Sequence, residues 1–109
     1  MLKKVNRLKA GERINSARVL STKLFTLKFT KNSIEGSRFG FLVSKKVDMR
    51  ATARNRLRRK IRGCIENGLE EIKKGFDLLF ILKKEALNKE SGEICSLVEE
   101  VLKKGNLKK

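Results

Sequence analysis

Twice in the first half of the chain, apolar and polar residues alternate. Phe25, Leu27 and Phe29 are interleaved with Thr26, Lys28 and Thr30; Phe39, Phe41 and Val43 are interleaved with Gly40, Leu42 and Ser44. A period of two sends each apolar set to one side of a pleated backbone, so both stretches read as strands, the first with a polar outer face. Val19 and Leu20 begin an earlier strand, and Asn32 to Ser37 supplies turn chemistry between the two clear ones. Gly40 removes a side chain opposite Phe39 and Phe41, where another element could approach closely. Phe76 to Leu82 is apolar at every position except Asp77, the pattern of a strand buried on both faces.

Between these strands the period lengthens. On a helix, Ala53, Leu57, Ile61, Cys64 and Ile65 fall within one arc of about 120°. The helix has Asp48 or Thr52 as candidate N-cap and ends near Asn67 or Gly68, with Leu69 to Lys74 as a possible extension. A second helix is plainer: Ser91 as cap, Glu93 in the first turn, Ile94, Leu97, Val98, Val101 and Leu102 as the apolar stripe, and Lys103, Lys104 and Gly105 as the ending. Met1 to Ser16 fits a short helix or an extended basic arm, and residues 105–109 read as a basic tail. The elements make one α+β domain over 1–109, a small sheet packed by helices.

Charge changes this picture. The chain has 28 Lys and Arg against 12 Asp and Glu, a net of +16. Lys45 to Arg62 contains nine basic residues and one acid, Asp48, which is half of that net charge in 18 residues. Opposite the first helix's apolar stripe lie Asn55, Arg56, Arg58, Arg59 and Arg62, with Arg54 at the margin. A solubilising face mixes acids and bases at i,i+4; here Arg54, Arg58 and Arg62 repel one another. Guanidinium forks match phosphate oxygens and stay charged at any working pH, so the face points to a polyanion.

Other classes are poorly supported. There is no histidine, hence no Ser-His or Cys-His pairing for nucleophilic catalysis. Cys64 and Cys95 are far apart in sequence without a CxxC pattern, and each lies on or beside an apolar stripe; both read as buried, reduced thiols. The glutamates are scattered, which argues against a protein-borne metal nuclease. No apolar run approaches a membrane span and the N-terminus lacks a signal-peptide core, so a cytoplasmic site of action is expected.

Arg38, Gly40 and Val43-Ser44-Lys45-Lys46, followed by Arg54-Asn55-Arg56-Leu57-Arg58-Arg59 and Arg62, resemble the signature of the bacterial ribonuclease P protein component. Two motifs in the right order make the match specific, and it extends over roughly Phe25 to Lys104. The resemblance implies the order α-β-β-β-α-β-α. It also implies a non-catalytic subunit of an endoribonuclease, bound to a catalytic RNA that removes the 5′ leader of precursor tRNA with magnesium ions held mainly by RNA and none by the protein alone. Carried over residue by residue, it assigns RNA contact to Lys45, Lys46, Arg54, Asn55, Arg56, Arg58, Arg59 and Arg62. Arg54 could instead be structural, and Asn55 could position the preceding loop. Leader contact falls to Thr26 and Lys28. Upstream, Arg7-Leu8-Lys9 resembles the family's start, but the segment before Val19 is short and has no aromatic residue, so the first helix is expected to be weak.

Two other RNA-binding readings compete. Arg38 to Val43 loosely resembles an RNA recognition motif strand, but Val19 to Val43 has no room for the helix that fold needs. An architectural or ribosomal RNA-binding protein would use the same basic helix without promoting cleavage.

Overall fold

The computed structural model describes residues 18–32 and 36–109. In chain order these form β1 (Arg18–Ser21), β2 (Phe25–Lys31), β3 (Arg38–Leu42), α1 (Ala51–Asn67), β4 (Phe76–Leu82) and α2 (Ser91–Lys104), with 3-10 turns at Leu69–Glu71 and Lys84–Ala86. The expected first helix lies outside the described residues.

β1 and β2 form a hairpin whose turn is held by Thr22: its Oγ1 accepts from the Leu24 and Phe25 amides at 3.2 and 3.0 Å. The sheet order is β1-β2-β4-β3, antiparallel except for the parallel β3–β4 pair. A parallel pair needs a crossover, which α1 provides. Leaving the C-terminal end of β3 and re-entering at the N-terminal end of β4, the chain must run α1 back along the sheet.

One face of the sheet carries the core. Leu27, Phe29, Phe39, Leu78 and Phe80 are buried there against Leu57, Ile61 and Ile65 of α1 and Ile94, Val98, Val101 and Leu102 of α2. Phe80 is its centre, with the Phe25 ring edge-on at 5.5 Å and the Phe41 ring stacked at 5.7 Å. The other face has no helix on it among the described residues. That corrects the expectation that β4 is buried on both sides: Leu79 and Ile81 are only half-buried. Across this open face run the rows Val19–Lys28–Leu79–Gly40 and Ser21–Thr26–Ile81–Leu42.

Asp77, the polar exception in β4, is matched by a partner on the neighbouring strand. Arg38, directly opposite, donates to both carboxylate oxygens from Nε and Nη2 at 2.8 and 2.6 Å, and Asn32 Nδ2 donates to Oδ1 at 2.9 Å. Burial alone would raise this carboxyl's pKa, but the hydrogen bonds from Arg38 and Asn32 and the charge of Arg38 outweigh it and hold Asp77 below the usual range.

Further expectations are corrected at the ends of elements. The residue capping α1 is Arg50, not Asp48 or Thr52; Asp48 instead accepts the Arg50 amide at 2.8 Å, one step before the helix. α2 is preceded by Glu90, with Ser91 already its first residue, and neither helix has a side-chain cap bond at its start. Gly105 is not left-handed (φ −82°); Asn106 takes that conformation at φ 56°. Glycine at 105 suits the close packing there, because a Cβ would lie 3.0 Å from Phe29 Cζ. Residues 105–109 are not a loose tail. Leu107 is fully buried, its carbonyl accepts the Lys73 amide at 2.7 Å, and the Lys109 amide donates to Glu71 O at 2.8 Å.

The two cysteines are not separate reduced thiols. Cys64 on α1 and Cys95 on α2 are joined by a disulfide, their Cα atoms 5.2 Å apart. Each lies on the side of its helix that meets the other helix, at a separation a disulfide spans without distortion. Thirty-one positions apart in sequence, they show this pairing only once the helices are docked.

Candidate nucleic-acid interface

The connection from β3 into α1 is fixed from below by apolar residues and presents cations above. Val43 and Val47 are buried, the Val47 amide donates to Ser44 O at 3.0 Å, and Lys45 and Lys46 stand exposed on the turn between them. Next, Arg50 forks onto Asp48 through Nε and Nη2 at 3.1 and 2.9 Å. Together with the backbone bond, that fork lowers the Asp48 pKa to about 2. The lone acid of the stretch is thereby committed to its neighbour.

Leu57, Ile61 and Ile65 anchor α1 on the sheet and so determine which side of the helix faces outward. Arg54, Arg58 and Arg62, expected to repel one another at i,i+4 spacing, are each separately held. Arg54 Nη1 donates to the carbonyls of Asp48 and Met49 at 3.0 and 2.9 Å. Arg58 Nη1 donates to Asn55 Oδ1 at 2.6 Å while Nη2 reaches Val43 O at 3.3 Å. The Arg62 guanidinium lies over the Phe41 ring at 5.8 Å. These arginines form a seam between the helix and β3, half-buried and not pointing straight out.

Beyond the seam, Arg56 and Arg59 are exposed. Neither they nor Lys45 and Lys46 form an ion pair among the described residues. With no acid in the first turn of α1, the positive end of its dipole adds to the same field. Chemically, the arrangement is a pre-positioned set of donors for phosphate oxygens, with the seam arginines placed by carbonyl, amide and ring contacts.

All eight residues expected to touch RNA therefore fall in one continuous region, the 44–47 turn and α1. Thr26 and Lys28 do not join them. They lie half-buried on the open face of β2, with β4 and β3 between them and that edge of the sheet, about 10 Å away at the usual strand spacing. Thr26 is within 3.4 Å of Ser21 Oγ, and Val19 and Leu42 are exposed at the two edges of the same face. Sequence reasoning placed Arg38 in the signature but gave it no role; the structure makes it the partner of Asp77. Among the described residues no three His, Cys, Asp or Glu side chains gather into a group that could hold a metal ion, and no helix is long and apolar enough to cross a membrane.

Comparison with known proteins places this geometry. The family model for ribonuclease P matches residues 2–106. The chain belongs to the ribonuclease P protein family. The ribonuclease P protein component of Alkaliphilus oremlandii is 29% identical over 97% of this chain and 96% of its own length. That of Clostridium botulinum (strain Langeland) is 35% identical over 80% and 78%. Among solved structures, the ribonuclease P protein of Staphylococcus aureus superposes with a TM-score of 0.84 at 27% identity, covering 95% of this chain and 98% of that one. The protein from Thermotoga maritima gives 0.75 at 28% identity, covering 82% and 84%. A ribonuclease P protein is a subunit of an endoribonuclease, working with an RNA subunit in maturation of the tRNA 5′ end. This ribonuclease P protein has no histidine, so no Ser-His or Cys-His pair can form in it.

Proposed function

We propose that α1 and the turn before it bind the backbone of the catalytic RNA, and that the open sheet face receives the 5′ leader of precursor tRNA. The observation that carries this reading is the arginine seam: Arg54, Arg58 and Arg62 are spent on positioning the helix, while Lys45, Lys46, Arg56 and Arg59 remain exposed without acidic partners among the described residues. Asn55 acts through Arg58, orienting its guanidinium. Thr26 and Lys28 supply a hydroxyl and an ammonium to a leader crossing β2. Residues 1–109 work as one RNA-binding domain in the cytoplasm. Magnesium ions, held by RNA phosphates in the complex, would supply the charge needed for hydrolysis.

The test is cleavage of a precursor tRNA by ribonuclease P RNA from the same source at low magnesium, with and without the protein. Cleavage at the mature 5′ end is expected to depend on the protein. If the protein binds the RNA and leaves cleavage unchanged, the leader-binding role is wrong.

A further inference from the structure

At the corner diagonal to the arginine-dense half of α1, the sheet end and the close of α2 enclose a second cationic cleft of about 690 Å³, whose lining contains no acid. Its charged groups are Arg18 of β1, Lys31 at the end of β2 and Lys73 just before β4, and its wall includes Phe29, Phe76 and Asn106. Arg18 and Lys31 lie on the helix side of the sheet. Arg18 pairs with Phe29 and Lys31 with Phe76 in the strand register, so these side chains share the side of buried Phe29 and turn away from the face bearing Thr26 and Lys28.

The cations are arranged for an external anion. The Arg18 guanidinium lies over the Phe29 ring at 5.2 Å, a contact that leaves its N–H donors available to an anion. Lys73 is held by its own amide bond to Leu107 O and by the chain turning into β4, so its ammonium is presented from a fixed backbone. None of the three forms an ion pair among the described residues. Other clefts of the molecule contrast with this one: the groove between the end of α1 and α2 is lined by Glu66, Glu70, Glu71 and Glu99.

We propose that this corner is a second RNA-backbone site, which seats a segment of the RNA subunit separate from the one on α1. The proposal rests on the RNA-binding reading given above. Arg18 and Lys31 are two residues out of register, about 7 Å along the sheet, so with Lys73 they can meet successive phosphates of a backbone. A run of phosphates spans that distance, and a precursor leader on the open face would lie on the opposite side of the sheet. The protein then bridges two parts of one folded RNA.

The experiment compares two full-length variants for binding to ribonuclease P RNA from the same source across a range of KCl concentrations, with hydroxyl-radical footprints of the RNA. One variant is Arg18→Gln, Lys31→Gln and Lys73→Gln; the other is Arg56→Gln and Arg59→Gln. Loss of three contacts is expected to make the log-log salt slope shallower by about two, to weaken binding at least about tenfold, and to remove protection from an RNA segment that the α1 variant still protects. The double variant Lys31→Gln, Lys73→Gln, which keeps the Arg18 stack on Phe29, should give the same footprint loss with an unchanged melting temperature. An unchanged slope and footprint for the corner variants, while the α1 variant loses both, would overturn the second site and leave the α1 interface standing. Failure of the α1 variant alone to change binding would sink the helix reading instead. A slope change seen only after precursor tRNA is added would assign the corner to substrate and overturn the assignment to the RNA subunit.

Discussion

At the scale of single residues, the polar groups that matter are those given partners across the sheet. Asp77 is removed from most of its water, and its charge is sustained by the Arg38 fork and Asn32. Asp77→Asn leaves the Arg38 guanidinium without its counter-charge and should cost about 2 kcal/mol in urea unfolding. The pH dependence has a definite sign. Asp77 has a lowered pKa in the folded state, so its stabilisation is fully present above the ordinary value of 3.8 and is lost as pH falls through the lower folded value. Acid titration of wild type should therefore show a loss of stability below about pH 4 that is smaller in Asp77→Asn. Gly105 is a second such residue. Gly105→Ala brings a Cβ to 3.0 Å from Phe29 Cζ and 3.3 Å from the Leu20 and Leu107 methyls, so these side chains must shift to accept it, and should lower stability by about 1–3 kcal/mol in the same assay.

At the scale of elements, α1 is held at both ends and along one side. The seam arginines tie its first half to the β3 connection, Lys60 Nζ donates to Lys89 O at 3.0 Å, and Cys64 is bonded to Cys95 of α2. The disulfide closes a loop spanning 31 positions, which in the loop-entropy description is worth about 3–4 kcal/mol. Reduction, or Cys64→Ser with Cys95→Ser, should lower stability by that order in urea titrations with and without reductant. Identical curves would mean that the bond does not form in solution. Because Arg58 and Arg62 also make structural contacts, their replacement mixes folding with binding. Arg56 and Arg59 are the cleaner probes of the proposed RNA contact.

At the scale of the whole molecule, a net charge of +16 unevenly distributed makes association with RNA fast and salt-sensitive. RNA affinity should fall steeply with salt, with a log-log slope of about 0.7–0.9 for each phosphate contacted. A flat response in filter binding would reject phosphate clamping by either cationic region. Self-repulsion of the free protein has the converse effect: added polyanion should raise its melting temperature by mass action.

The sequence by itself determined the elements and singled out the arginine-bearing helix proposed here to meet RNA. Periods of two and of 3.6 are local consequences of backbone geometry, so β2, β3, α1 and α2 are legible from where Phe25, Phe39, Leu57 and Ile94 recur. The density of arginine opposite Leu57 and Ile61 is just as local. Tertiary structure decided what depends on docking. It left one face of β4 open, because both described helices pack on the other face. It brought Cys64 to Cys95 and Arg38 to Asp77, and it folded residues 105–109 against the Ile72–Lys73 backbone. It also converted three arginines expected to repel one another into a seam held by the Val43, Asp48 and Met49 carbonyls, Asn55 and Phe41. Such pairings join positions distant in the chain or reach carbonyls that no residue name reveals, so they exist only once the sheet and helices are assembled.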